Sequence, residues 1–364
     1  MKVAILGTRG IPNHHGGFEQ FAEFFSVYMA KKGHDVIVYN SHNHPYKKKE
    51  FQGVKIIHKY DPEHKIGTPG QFVYDFNCIW DCRRRGFDII LQLGYTSSSI
   101  WGKFLPNEAI ILTNMDGLEW KRTKYTKKVQ GFLKYAERWA VKTSDHLIAD
   151  SLGIQDYLKD KYKMDSTYIP YGAELFLDPD ESVLEEYNLK KNGYNMLIAR
   201  LEPENNIEVI LNAVMKDRNQ RQFLVIGKHD TAYGRYLKQK FDRCSHIQFL
   251  GGIYNLSHLN NLRYFSNLYF HGHSVGGTNP SLLEAMASES FIVAHDNPFN
   301  RSILGEDAYY FQTSEDIFSK LSLIKREHSE WILSNKNKIQ DIYNWPKING
   351  QYEDLFMSCL EHTQ

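Results

Sequence analysis

His271-Gly272-His273-Ser274-Val275-Gly276-Gly277-Thr278-Asn279-Pro280-Ser281-Leu282-Leu283-Glu284-Ala285-Met286-Ala287 is the stretch from which the fold can be read. An apolar strand ends at His271, and adjacent glycines follow. A helix then opens with Asn279 as its N-cap and Pro280 at its first position. Free amides and the positive end of the helix dipole suit a diphosphate at such a place. Glu284 falls within the first turn or two, where a carboxylate can accept hydrogen bonds from sugar hydroxyls. Its neighbours, Leu283 and the small Ala285-Met286-Ala287 run, should be packed, so Glu284 is expected to be half-buried and to need a partner.

Upstream, Leu197-Ile198-Ala199-Arg200-Leu201-Glu202-Pro203-Glu204 places Arg200 where another strand ends. A guanidinium there fits phosphate recognition. Lys228 follows the apolar run ending at Ile226 and Gly227, and is a second cation at an equivalent strand end. With the glycine loop, the two converge on one anionic group. At the N-terminus a strand runs into Gly7-Thr8-Arg9-Gly10-Ile11-Pro12, then His14-His15-Gly16-Gly17-Phe18-Glu19 before a helix. The spacing does not match GxGxxG, which removes the main support for a nicotinamide dehydrogenase. Gly16 and Gly17 let backbone amides approach an anion or a sugar.

Short apolar runs alternate with helical stretches along the whole chain, the pattern of parallel α/β sheets. Strands are expected at 3–6, 36–39, 54–58, 89–92, 109–113, 146–149 and 167–169, with helices at 18–32 and 127–142 among them. A second series falls at 195–199, 222–226, 247–249, 268–271 and 291–294. The 364 residues suffice for two domains. The boundary is set at an acidic, poorly periodic stretch after Tyr171. The expected architecture is two doubly wound Rossmann-like domains facing a cleft, residues 1–171 and 172–344, with ligands at the carboxyl ends of strands.

The net charge is +1, from 44 basic and 43 acidic residues, which argues against a general nucleic-acid binder. Neutrality hides a split. Residues 1–175 carry 25 basic and 19 acidic groups, net +6, and residues 176–364 carry 19 and 24, net −5. In the helix expected over 124–142, Val129, Phe132, Leu133, Ala136, Trp139 and Ala140 share a face that should pack on the sheet. Lys127, Lys134, Arg138 and Lys142 project opposite, either merely solvated or meeting an anionic membrane surface. No apolar run is long enough to span a bilayer, and the apolar part of the N-terminus is too short for a signal peptide. Four scattered cysteines complete no zinc site, and Asp178-Pro179-Asp180 sits in the acidic stretch away from any glycine loop, so no metal site is expected.

Arg200-Leu201 with Pro203-Glu204, and the glycine loop running into Pro280-Ser281 and Glu284-Ala285-Met286-Ala287, resemble glycosyltransferase family 4. That family has the GT-B fold and transfers sugars from nucleotide donors with retention. The Gly7–Pro12 and Gly16–Glu19 segments, with Asp116-Gly117-Leu118-Glu119-Trp120-Lys121-Arg122, resemble a narrower group. Those are bacterial β-1,4-rhamnosyltransferases of capsule and surface-polysaccharide assembly that use dTDP-L-rhamnose. The resemblance implies that Arg200 holds the donor diphosphate and Glu284 the ribose hydroxyls. Gly276, Gly277, Thr278 and Asn279 would meet the donor sugar and phosphates, and Gly251 and Tyr254 would flank the base. Gly16 and Gly17 would approach the diphosphate or acceptor. Trp345-Pro346 and the segment 352–359 would form a final helix returning to the first domain, which adds 345–364 to it.

Two positions depart from the family pattern. The lysine five residues after the arginine is Asn205 here, a role that Lys228 could cover, and the glutamate eight residues before Glu284 is Gly276. The second departure suits a deoxy sugar. On this reading no cofactor or metal is required: Arg200, Lys228 and helix-terminal amides stabilise the departing diphosphate. Asp116 and Glu119, after a strand of the first domain, orient the acceptor hydroxyl or form a structural turn. The implied acceptor is a lipid-diphosphate-linked saccharide, and the implied location the cytoplasm, at the inner face of the membrane. The alternatives are a GT-B transferase of other donor specificity, a nucleotide-sugar epimerase, and a nucleotide-sugar-binding protein without turnover.

Overall fold

The computed structural model describes residues 1–14, 16–122 and 125–361. His15, Lys124 at the start of the expected basic helix, and residues 362–364 lie outside the described residues. The chain divides into two units. The first comprises the chain up to Lys121, Tyr125–Tyr171 and the segment from Trp345; the second comprises Arg122 and Gly172–Asn344. Arg122 thus groups with the second unit rather than with residues 1–171, and its guanidinium lies 3.8 Å from the Glu204 carboxylate.

In the first unit, eight strands form one sheet: β1 (Lys2–Leu6), β2 (Asp35–Ser41), β3 (Glu50–Phe51), β4 (Val54–Lys59), β5 (Ile89–Leu93), β6 (Ile110–Asn114), β7 (His146–Ala149) and β8 (Thr167–Tyr168). Their order is β3-β4-β2-β1-β5-β6-β7-β8, parallel except for the β3–β4 pair. β5 and β6 are buried at every residue, because helices cover both faces of a parallel sheet. The winding direction reverses between β1 and β5, so the loop after β1 opens at the topological switch point.

The helix Trp345–Glu361 belongs to this unit and packs on the helix Gly17–Lys31. Phe21 meets Tyr352 at 4.6 Å between ring centroids, Phe25 meets Phe356 at 5.5 Å, and Phe24 stacks on Trp345 at 4.6 Å. Each such buried ring contributes about 1.5–3 kcal/mol. The Tyr28 hydroxyl donates to Glu353 at 2.6 Å, and Asn114 Nδ2 donates to the Tyr352 hydroxyl at 2.9 Å.

One expectation is corrected here. The helix Lys127–Thr143, capped by Thr126, buries Leu133, Ala136 and Ala140 of the expected face but leaves Val129 and Phe132 outside. Its buried residues are Leu133, Ala136, Glu137, Ala140 and Val141, while Val129 and Phe132 are exposed. The stripe is rotated because a carboxylate occupies its centre. Glu137 is buried yet accepts hydrogen bonds from Tyr157 and Tyr162 at 2.7 Å, Lys161 at 2.8 Å, the Trp120 indole at 3.0 Å and Tyr95 at 3.4 Å. Donors in that number offset the cost of burying the charge.

In the second unit, six strands form a wholly parallel sheet: β9 (Tyr194–Ile198), β10 (Gln222–Ile226), β11 (Ile247–Gly251), β12 (Leu268–His271), β13 (Ile292–His295) and β14 (Tyr309–Phe311). The order is β11-β10-β9-β12-β13-β14, and the winding reverses between β9 and β12. Leu197, Phe223, Val225, Phe270 and Val293 form the core beneath the flanking helices. β3 and β14 were not expected.

Candidate active site

The register of the second sheet decides what its carboxyl edge presents. Ile198 pairs with Ile226, and Ile226 with Gly251, so Arg200 and Lys228 each stand two residues beyond paired neighbours. Gly227 makes that approach possible: a Cβ there would lie 2.0 Å from the Ala199 carbonyl oxygen. Arg200 and Lys228 are both exposed, and the Lys228 ammonium lies 5.7 Å from the centre of the exposed Tyr254 ring. On the other side of β9, Leu197 pairs with Phe270, which brings the loop after β12 alongside.

That loop is tied down by side-chain amides. Asn205 Nδ2 donates to the Arg200 carbonyl at 2.8 Å, and Asn206 Nδ2 to the Gly272 carbonyl at 2.8 Å. Ser274 bonds the Glu204 carbonyl through both its amide and its hydroxyl. Asn297 and Asn300 both donate to the His273 carbonyl. Asn205, where the family pattern has lysine, is therefore buried and turned inward, shaping the loop that carries Arg200. The chain then passes Gly276, whose φ of +133° only glycine adopts freely and beside which there is open space. Thr278 is buried, and Asn279 caps the helix Pro280–Ala287 by accepting from the Ser281 amide at 2.9 Å.

Glu284, in the second turn, has the partner its surroundings require. Arg263, on the helix Leu256–Phe265, bonds Glu284 Oε2 at 2.6 Å, Asn260 Oδ1 at 2.9 Å and Ser281 Oγ at 3.4 Å. The Arg263 side chain is 1% exposed, whereas that of Glu284 is 20% exposed. Beside them His271 and His273 stack with ring centroids 4.4 Å apart. Burial, then the Arg200 and Arg122 guanidiniums, push the His273 imidazole down to about 3, so it is neutral near pH 7. Arg263 and His273 were not among the expected site residues. Arg263 could have been sought as the partner Glu284 needs, but nothing in the sequence singles it out.

In the first unit, the loop after β1 is held by acids. The Arg9 amide donates to Glu19 Oε1 at 2.8 Å, and its guanidinium bonds Glu63 at 2.5 Å and approaches Asp61 at 3.9 Å. Gly16 precedes the helix Gly17–Lys31, and a Cβ on Gly16 would meet nothing closer than Glu19 Oε2 at 3.7 Å. At the end of β6, Asp116 takes φ +50°, its amide bonded to Asn114 Oδ1, and Glu119 opens the short turn Glu119–Lys121. The next residue, Trp120, is anchored on Glu137, which was not anticipated either. Asp180, in the acidic stretch, caps the turn Glu181–Tyr187. Among the described residues no group of three or more His, Cys, Asp or Glu is placed to hold a metal ion.

Near the Arg9 cluster, burial pushes the Asp75 carboxyl up to about 6. A raised folded-state value means that stability from this group is present below about pH 4 and is lost as the pH rises through about 6. Asp75→Asn, which keeps an acceptor for Ser97, is expected to gain up to about 3 kcal/mol relative to wild type between pH 4 and 8. Unfolding at both pH values checks this, and an equal difference at the two would refute it.

Residues 183–326 match the family described as glycosyl transferases group 1, and residues 1–174 match a domain of unknown function, DUF1972. No curated protein matches the sequence. Among solved structures, sucrose-phosphate synthase from Thermosynechococcus elongatus superposes with a TM-score of 0.80 at 16% identity, over 99% of each chain. HepE from Anabaena, in complex with UDP and glucose, gives 0.76 at 14% identity, over 98% of this chain and 100% of the other. The catalytic domain of starch synthase IV from Arabidopsis thaliana, bound to ADP and acarbose, gives 0.73 at 13%, over 99% of each. The chain has the architecture of a GT-B glycosyltransferase. Arg200, Lys228, Gly251 and the 276–279 loop of this GT-B chain all lie at the carboxyl edge of the group 1 domain's sheet, with Glu284 on the helix that follows. Gly16, Gly17, Asp116 and Glu119 belong to the other unit, after β1 and β6.

Proposed function

We propose that this protein is a retaining glycosyltransferase of family 4 that transfers L-rhamnose from dTDP-L-rhamnose to a lipid-diphosphate-linked saccharide at an anionic membrane surface. The reading rests on the edge where Arg200 and Lys228 stand side by side, next to the capped start of the helix that carries Glu284. A guanidinium, an ammonium and the start of a helix at the ends of neighbouring strands suit charge developing on a leaving diphosphate. Glu284, paired with Arg263, takes the ribose hydroxyls, and Tyr254 lies against the base. Gly276 in place of a glutamate removes an acceptor for sugar hydroxyls, which favours a deoxy sugar. Nucleotide donors are also what HepE, solved with UDP-glucose, accommodates on this fold.

In the transfer, the bond between the sugar's anomeric carbon and the diphosphate oxygen breaks, and the electron pair leaves with the diphosphate. The acceptor oxygen bonds the same carbon from the same face, and its proton passes to the departing phosphate. Asp116 and Glu119 orient the acceptor hydroxyl, and Gly16 and Gly17 offer amides to the phosphates or the acceptor.

A thermal-shift screen with dTDP-, UDP- and GDP-sugars tests the donor. A nucleotide sugar at 100 times its Kd stabilises its domain by about 2.7 kcal/mol. The largest shift is expected with dTDP-L-rhamnose, followed by linkage analysis of the product. A larger shift with another nucleotide sugar would overturn the donor assignment; no shift with any would overturn donor binding. Binding without transfer or hydrolysis would leave a non-catalytic nucleotide-sugar binder.

A further inference from the structure

The rotation of the helix Lys127–Thr143 leaves an aromatic surface uncovered. Phe132 and Tyr135 of that helix, Trp80 of the helix Pro69–Cys82, and Phe104 of the turn Ser99–Phe104 are between 37% and 52% exposed. They form one surface rather than four isolated rings. Phe72 meets Phe132 at 5.7 Å, Trp80 meets Phe104 at 6.2 Å, and Phe76 meets both Trp80 and Phe104 within 6 Å. Trp101 Nε1 donates to the Phe72 carbonyl at 2.9 Å, and the Lys103 ammonium lies 5.7 Å from the Trp139 ring. Val73 and Val129 add exposed aliphatic area. Contiguous exposed apolar surface rimmed by charge marks a docking face.

The charge on this face selects its partner. The three elements carry only three carboxylates, Asp75, Asp81 and Glu137. Asp75 and Glu137 are buried, and Asp81 is bonded by Lys59, Arg85 and Tyr39. By contrast Lys103, Lys127, Lys128, Arg138 and Lys142 are exposed, and Arg83 and Arg84 follow directly. Lys134 is engaged over the Trp120 ring at 4.4 Å. Exposed aromatics set among cations, on elements that carry no exposed unpaired carboxylate, complement a surface that is both apolar and anionic. A phospholipid bilayer with anionic headgroups is such a surface: rings settle at the headgroup level while Lys and Arg reach the phosphates.

We propose that this three-element face of the first unit docks on anionic phospholipid, with Trp80, Phe104, Phe132 and Tyr135 entering the interface and the cations supplying attraction. It deepens the membrane part of the reading above, on which it rests, by assigning the contact to named rings and by making it aromatic as well as electrostatic.

Flotation of the full chain with phosphatidylcholine vesicles, with and without phosphatidylglycerol, tests this. Wild type is expected to float only with phosphatidylglycerol, and to be partly released by salt. Arg138→Glu with Lys142→Glu should weaken binding by about 30-fold or more. Phe132→Ser with Tyr135→Ser should weaken it by about 10-fold and abolish the fraction that resists salt. Equal binding to neutral vesicles, no binding by wild type, or unchanged binding by the Phe132→Ser/Tyr135→Ser variant would overturn the proposal. A wild type that binds no vesicle would point to a protein partner. Donor thermal shifts of the same variants separate the two readings. A normal shift with lost flotation supports the face, whereas flotation without any donor shift would sink the transferase reading alone.

Discussion

Glu284→Ala is expected to destabilise the second unit by roughly 3–5 kcal/mol, more than any loss of a surface carboxylate would. Arg263 is the reason. Its side chain is 1% exposed, and Glu284 supplies its counter-charge at 2.6 Å. Truncating Glu284 strands a guanidinium in the interior with Asn260 and Ser281 as remaining neutral acceptors. The reverse change, Arg263→Met, leaves a carboxylate that is 20% exposed and can recover some hydration, so a smaller loss of about 1–3 kcal/mol follows. The double variant Arg263→Met/Glu284→Met removes both charges and should regain most of the stability lost by Glu284→Ala. Chemical denaturation of wild type, Arg263→Met, Glu284→Met and the double variant gives the coupling energy, and a value near zero would overturn the pairing. Donor binding then separates structure from function. If Glu284 takes the ribose hydroxyls, the stable double variant binds donor as poorly as Glu284→Ala. Recovery of donor affinity along with stability would show that the carboxylate serves the fold alone.

That pair also shows where reading the sequence stops. The need of Glu284 for a partner was legible, because its neighbours in the helix are all small or apolar and therefore packed. The identity of the partner was not, since Arg263 lies 21 residues earlier on a helix whose pattern is that of an ordinary half-polar element. The parallel strands were legible for a physical reason: β5, β6, β10 and β12 are covered on both faces and each carries a run of at least three consecutive apolar residues. Periodicity failed at Glu137, where a charged residue holds the centre of a buried stripe. Its five donors come from three separate segments, and no pattern local to the helix announces them. The same error placed Phe132, whose ring is exposed, on the face expected to pack on the sheet. Asn205 is a third case. As a departure from a family motif it suggested a missing cation, whereas in the fold it is a buried amide that bonds the Arg200 carbonyl.

Arg200→Ala is expected to lower kcat/KM for the donor by about 10²–10³-fold while changing stability by no more than about 0.5 kcal/mol. The two halves of that expectation have separate causes. The loop that presents Arg200 is fixed through its main chain, by the Asn205 bond to its carbonyl and by the Gly227 approach to Ala199, and neither involves the guanidinium. The side chain itself is exposed, so its removal strands no buried group. What is lost is a planar donor that can grip two phosphate oxygens at once, at the strand end beside Lys228. Lys228 retains one charge at that edge, which is why the loss is bounded. Arg200→Lys restores charge without the fork, and should fall between, at roughly 10-fold below wild type. His273 provides an internal check. Arg200 is second to burial among the causes that hold its imidazole near 3, so in Arg200→Ala the ring should titrate somewhat higher but still below its ordinary range. Turnover near wild type in Arg200→Ala, with the fold intact, would remove the diphosphate from this strand end and leave Lys228 and the 276–279 amides to hold it alone.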